Sequence, residues 1–257
     1  FSMINLIQNT IGALGRRVSS AASIITANLQ MWLDFANSEW VGGELVVKDK
    51  SPNTNNAKLF TGKALSFNGN DYVDTDVNQV ISNEFTIAAW FNIDNTSQNG
   101  CIYGGGSGYK NSCRISGTTV NLRINQTSSN SYNFIFPSIS TTNWNRLVIT
   151  RDSSNDIRCY INNVESTTGE INDSQNTELK DIGRVYNVLN YFLGSISDFQ
   201  LYDATWDSDD ITFDYNNPNK LVTDSVNTGT SLVVADLKGY WALSEGAGSV
   251  AYDSSGQ

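Results

Sequence analysis

The chain has 257 residues, with 16 Lys+Arg against 26 Asp+Glu, a formal net charge of −10 and no histidine. The absence of histidine excludes Ser-His-Asp and Cys-His chemistry and His-containing zinc sites, and the acidic balance argues against nucleic-acid binding, which needs positive charge to replace phosphate counterions. With 39 % apolar and 11 % aromatic residues there is material for a packed core, while apolar runs such as Ile87–Phe91 are too short for membrane insertion.

In chain order, residues 1–28 differ from the rest. Their apolar stretch Ile4–Leu14 is broken by Gln8, Asn9 and Gly12 and precedes Arg16-Arg17, the reverse of a secretory leader, in which positive charge comes first. The segment is either an arm that anchors the protein on a partner or a flexible tail or processed remnant. From Leu29 onward the text is strand-like. Leu65-Ser66-Phe67 and Tyr72-Val73 flank a turn at Asn68–Asp71, and Glu84–Ile93 places Phe85, Ile87, Ala89 and Phe91 on one face. Period-2 segments recur at Thr119–Asn125, Tyr132–Phe136, Trp144–Arg151, Ile157–Val164 and Phe192–Tyr202, separated by turn-rich stretches at 95–100 and 104–112. Asn, Ser and Thr make up about a third of the chain, the residues of turns between strands. One short helix is expected near 208–216, with Ser208 as N-cap, Asp209 and Asp210 in the first turn, and Pro218 as its stop. The expected fold class is all-β, a two-sheet antiparallel sandwich.

The two ends of the chain share a pattern. Trp32-Leu33-Asp34-Phe35 is followed by Asp49-Lys50-Ser51, and Trp241-Ala242-Leu243-Ser244 by Asp253-Ser254-Ser255: an aromatic-led strand, then an Asp-x-Ser turn. The expected organisation is therefore an N-terminal arm at 1–28, a domain at 29–218, a linker at 219–236 and the start of a second similar module at 237–257. The three cysteines, Cys101, Cys113 and Cys159, form no CxxC motif. They are either buried thiols or, for the close pair Cys101 and Cys113, a bridge between neighbouring strands.

Five pieces in order carry a family resemblance: Ala64–Val73, Phe85–Phe91, Trp144–Arg151, Cys159–Val164, and Ile182-Gly183-Arg184 with Gly194–Tyr202. Over residues 29–218 the chain resembles the laminin-G-like branch of the concanavalin A-like lectin/glucanase superfamily. The resemblance implies a jelly roll of about a dozen antiparallel strands. The chain departs from the family where Asn163 stands at a hairpin position usually held by Gly. Glucanase members carry a strand with paired acid and nucleophile carboxylates on one face; no such string occurs here, so a non-catalytic module is expected. Trp90 and Trp144 are expected to pack near the sheet core or edge. The Gly104–Gly108 loop lacks phosphate-loop spacing and is expected to be a mobile hairpin tip.

By resemblance, one structural Ca²⁺ would be held by oxygens of Asp198, the Asn68-Gly69 turn and Asp34. A lectin-like site stacks a sugar ring on an aromatic and binds its hydroxyls with amides. The candidates for that site are Tyr103, Tyr109 and Lys110 on one loop and Tyr186, Asn187, Asn190 and Tyr191 on another. The text at Leu29–Phe35 looks like that of laminin-G-like modules in bacteriophage virion proteins. The resemblance implies a recognition or adhesion module on a virion surface, binding a cell-surface glycan and held to other virion structural proteins by its arm. The alternatives are a purely structural capsid cement or spacer with protein partners only, and a bacterial extracellular adhesin or carbohydrate-binding module.

Overall fold

The computed structural model describes residues 33–41, 44–49, 57–58, 64–95, 100–125, 131–186, 190–245 and 249–256. The arm expected at 1–28 lies outside them. Strands β1 (Leu33–Val41), β2 (Glu44–Asp49) and β3 (Ala57–Lys58) form a sheet of their own in the order β1-β2-β3, with Val46 opposite Lys58.

The remaining strands build two antiparallel sheets. One has six strands in the order β10-β9-β8-β7-β15-β5: Tyr132–Ile135, Thr119–Arg123, Ser112–Ser116, Gly100–Gly104, Thr177–Ile182 and Val73–Ile81. The other runs β13-β12-β11-β6-β16-β17: Val164–Glu165, Asp156–Ile161, Asn145–Arg151, Phe85–Ile93, Leu193–Tyr202 and Leu237–Trp241. Strand β14 (Ile171–Asn172) joins it on β12, and β4 (Leu65–Asn68) on β16. This is the expected jelly-roll sandwich. Phe85, Ile87, Ala89 and Phe91 of β6 and Leu147 and Ile149 of β11 face Ile102, Tyr103, Ile115, Val120, Leu122 and Leu179 of the opposing sheet, all buried.

The larger sheet is buried on both faces, and this explains why β11 is buried at every position. Its second face carries Ala88, Val148 and Tyr202, covered by Trp206, Ile211 of helix α1 (Ser208–Asn216), Val222, Leu232 and Leu237. Residues 219–236, expected as a linker, are thus partly core: Val222 and Leu232 seal this outer layer. Residues 237–241, expected to open a second module, pair as β17 with β16 of the same sheet, Phe199 opposite Trp241.

Two local features refine the sequence reading. The N-cap of α1 is Asp207, not Ser208: its carboxylate accepts from the Asp209 and Asp210 amides, both at 2.9 Å, while Asp210 accepts from the Asp207 amide at 3.3 Å. The β12–β13 hairpin turns on Asn162 (φ 54°) and Asn163 (φ 63°), consecutive left-handed residues that Asn tolerates where the family uses Gly. All three cysteines are free and buried.

Candidate functional site

The sandwich brings the two candidate loops together at one end. Gly104 lies so close to Arg184 that a Cβ there would sit 2.6 Å from the Arg184 carbonyl, and one at Gly108 would sit 3.8 Å from the Tyr186 carbonyl. The glycine loop is pinned, contrary to the mobile tip expected. The Gly106 amide donates to Asn78 Oδ1 at 2.9 Å, and the Ser107 amide and hydroxyl both reach the Glu178 carboxylate at 3.0 Å. Because Asn78 and Glu178 belong to β5 and β15, the loop is fixed to the edge of the six-stranded sheet.

Beside it stands a stack. The Arg184 guanidinium lies 3.2 Å from the centroid of the Tyr72 ring and 5.7 Å from that of Tyr186. It donates to Asp181 Oδ2 at 2.9 Å, and its backbone bridges Tyr191. Tyr72 is 41 % exposed, and Tyr186, Asn190 and Tyr191 are half-buried. A planar guanidinium lying over tyrosine rings is a cation–π arrangement, and the tyrosines and Asn190 around it keep part of their surface accessible. Its cations are already compensated: Arg184 by Asp181, and Lys180 by Asp74 at 2.5 Å. Burial pushes the Asp181 carboxyl up and Arg184 pulls it back, while the Lys180 ammonium holds Asp74 low.

Of the sequence candidates, Tyr186, Asn190 and Tyr191 belong to this cluster, and exposed Lys110 lies on the adjoining loop. Tyr103 does not: it sits at a bulge in β7, fully buried, edge-on to Phe199 with ring centroids 6.1 Å apart. Asn187 and the side chain of Tyr109 lie outside the described residues. Sequence reasoning missed Tyr72 and Arg184 as site residues. Both stand in the strings that carry the resemblance, but only the pairing of β15 with β5, which sets Ile182 opposite Val73, brings them face to face.

Two of the residues expected to hold calcium, Asn68 and Asp198, lie apart. Asn68 pairs with Leu193, five positions along β16 from Asp198, which is roughly 17 Å of extended strand and too far for one ion. Asp198 is instead committed to Arg146, at 2.9 Å. Arg146 is buried, doubly bonded to Asp214 of α1 at 2.7 Å through Nε and Nη2, and 5.5 Å from the Trp90 centroid. Trp90 in turn stacks on Tyr215 of α1 at 5.9 Å, which places it in the outer layer's packing. Trp144 is half-buried. Burial raises the Asp198 carboxyl to about 6 despite the attraction of Arg146. The side chain of Asp34 lies outside the described residues, and no cluster of three or more His, Cys, Asp or Glu occurs among those described.

A cavity of about 440 Å³ opens at the opposite ends of β5 and β16, lined by Ser82, Asn83, Glu84, Asp203, Lys238 and Asp253 among others. Two of these lining residues, Lys238 and Asp203, pair at 3.1 Å. It lacks exposed aromatic faces, so the stacked tyrosines are the better seat for a sugar ring.

The family model described as the concanavalin A-like lectin/glucanases superfamily matches residues 67–212, more than half of the chain. The protein belongs to this superfamily. No curated protein matches the chain significantly. Among solved structures, a Bacteroides ovatus ATCC 8483 protein described as carbohydrate-binding aligns at TM-score 0.55 and 16 % identity, over 83 % of this chain and 64 % of that one. The present chain therefore spans less than two thirds of that protein. A heptameric SAP-like pentraxin from Limulus polyphemus aligns at TM-score 0.46 and 15 % identity, over 58 % of this chain and 80 % of that one. Domain 4 of a Geobacillus stearothermophilus extracellular arabinanase, solved with arabinotriose, aligns at TM-score 0.45 and 18 % identity, over 67 % and 81 %.

Proposed function

We propose that this protein is a non-catalytic glycan-recognition module whose binding face is the Tyr72–Arg184–Tyr186 stack with Asn190 and Tyr191. The carrying observation is the stack itself: partly exposed tyrosines gathered on an internally paired guanidinium, beside a loop fixed by three hydrogen bonds. Membership of a lectin/glucanase superfamily and the likeness to a protein described as carbohydrate-binding support the reading. With the cations of the stack paired internally, the ligand class is neutral glycan, bound by stacking and hydroxyl contacts. Display on a virion or cell surface belongs to the same proposal, and it rests on the resemblance of the opening text at Leu29–Phe35. Many copies would compensate by avidity for a weak single site.

The test is binding of the whole chain to a glycan array, followed by titration of the best ligand against Tyr72→Ala and Tyr186→Ala. Saturable binding to neutral glycans, weakened about tenfold or more by either change, is expected. A folded protein that binds none of them, or variants that bind as well as the parent, would overturn the reading in favour of a structural module with protein partners.

A further inference from the structure

The two sheets of the sandwich differ in what covers their outer faces. The larger sheet is sealed by Ile211 of α1 together with Trp206, Val222 and Leu232. On the outer face of the six-stranded sheet, Asn133 is exposed, Ile135 is 49 % exposed, and Arg114 and Asn121 are half-buried. Strand alternation puts these side chains there, because their neighbours Ile115, Val120, Leu122 and Phe134 point into the core. Register then aligns them. Asn133 of β10 stands opposite Asn121 of β9, Asn121 opposite Arg114 of β8, and Arg114 opposite Cys101 of β7. The row is bonded end to end: Arg114 Nη2 donates to Asn121 Oδ1 at 2.7 Å, and Asn121 Nδ2 donates to Asn133 Oδ1 at 2.6 Å. Both amides are thereby oriented, and Asn133 Nδ2 and Arg114 Nη1 stay uncommitted among the described residues.

The row leads toward the tyrosine stack. Strand β7 pairs on one side with β8 and on the other with β15, where Asp181, the partner of Arg184, stands opposite Gly104. The Cys101 thiol at the inner end of the row lies within reach of the charges of both Arg114 and Asp181. From β15 to β10 there are four strand spacings, about 19 Å. That is more than one sugar ring covers, and it suits a chain of rings laid across the strands.

We propose that the row Arg114–Asn121–Asn133 is an extended subsite, so that the protein takes a stretch of a linear neutral glycan rather than a lone terminal sugar. The inference rests on the reading of the tyrosine stack as a glycan site. One sugar stacks at Tyr72, and the units that follow cross β7, β8 and β9 with their hydroxyls bonded to the guanidinium and the amides. Ile135, two positions from Asn133 on the same face of β10, meets the C–H face of the outermost ring. Groups already held by one another lose little freedom when the chain binds.

The experiment titrates the whole chain calorimetrically with linear malto-, cello- and arabino-oligosaccharides, from disaccharide to hexasaccharide. The variants Tyr72→Ala, Asn121→Ala and Asn133→Ala are run beside the parent, each first shown by thermal melting to be folded. In the series that binds, affinity should climb by about tenfold or more from disaccharide to hexasaccharide. Asn121→Ala and Asn133→Ala should each cost the hexasaccharide about threefold to tenfold, the share of a hydrogen bond, and leave the disaccharide as it was. Tyr72→Ala should weaken every length. Asn133 is exposed at the edge strand, so its variant keeps the test decisive if Asn121→Ala does not fold. Affinity that does not grow with length, a gain that the amide changes leave intact, or amide changes that weaken all lengths alike would each overturn the extended subsite while the stack reading stands. Failure of every oligosaccharide to bind the folded parent would count against the stack itself, and the extended subsite would fall with it.

Discussion

Asp198 shows how much a side chain's neighbours decide its role. The family resemblance makes it a candidate calcium ligand. In the fold it holds φ 51° in the left-handed region and faces Arg146, which also binds Asp214. Its carboxyl is raised from 3.8 to about 6 because burial outweighs the attraction of Arg146. A raised carboxyl means that the folded state binds the proton more tightly than the unfolded chain. Its contribution to stability is therefore complete below about pH 4 and is lost as pH rises through about 6. Asp198→Asn keeps the left-handed backbone and removes the titration. Relative to the parent, the variant should gain stability between pH 4 and pH 7, by up to about 3 kcal/mol. Urea midpoints of both proteins across that range check it, and a difference that stays flat with pH would contradict the assignment. Gly194 makes a different demand: at φ 137° a Cβ would lie 2.1 Å from the Asn92 carbonyl of neighbouring β6. Gly194→Ala should therefore destabilise by about 2 kcal/mol or more, read by the same denaturation.

At the level of elements, the legible strands are those with one face in the main core and those that carry the family strings. Alternation marked β6, β9, β10, β11, β12 and β16. It did not mark β5, where Asp74, Asp76, Val77, Asn78 and Val80 all face solvent along an open sheet edge. Nor did it mark β7, a glycine-flanked strand with a bulge that puts Tyr103 in the core. The candidate site was legible in half: Tyr186, Asn190 and Tyr191 sit in a turn-rich loop, whereas Tyr72 and Arg184 are 112 positions apart (184 − 72) and meet only through sheet pairing. Helix α1 was read to its ends, yet its cap lay one residue earlier, because Asp207 and Asp210 cap each other reciprocally. Asp207→Ala should cost about 1–2 kcal/mol. Arg146 still ties α1 to β11 through Asp214, so the helix should remain docked, with amide exchange rising chiefly in its first turn. Exchange rising evenly along α1 would show that the cap holds the whole element.

At the scale of the molecule, charge and site architecture point the same way. The chain carries −10 overall, with a pI near 4.4, so its field repels polyanions. Arg184 and Lys180 at the tyrosine stack are each matched by a carboxylate a hydrogen bond away, so neither is a spare cation to draw in a sulfated or sialylated chain. A neutral glycan is indifferent to that field, and its stacking and hydroxyl contacts are short-ranged, well inside the screening length. Affinity for the best neutral ligand should therefore change less than about twofold between roughly 0.05 M and 0.5 M NaCl. Any residual binding of an anionic polysaccharide should strengthen as salt screens the repulsion. A neutral-glycan affinity that falls steeply with salt would instead place an unpaired charge at the contact. That outcome would move the binding face away from the internally neutralised stack and toward exposed Lys110 on the adjoining loop.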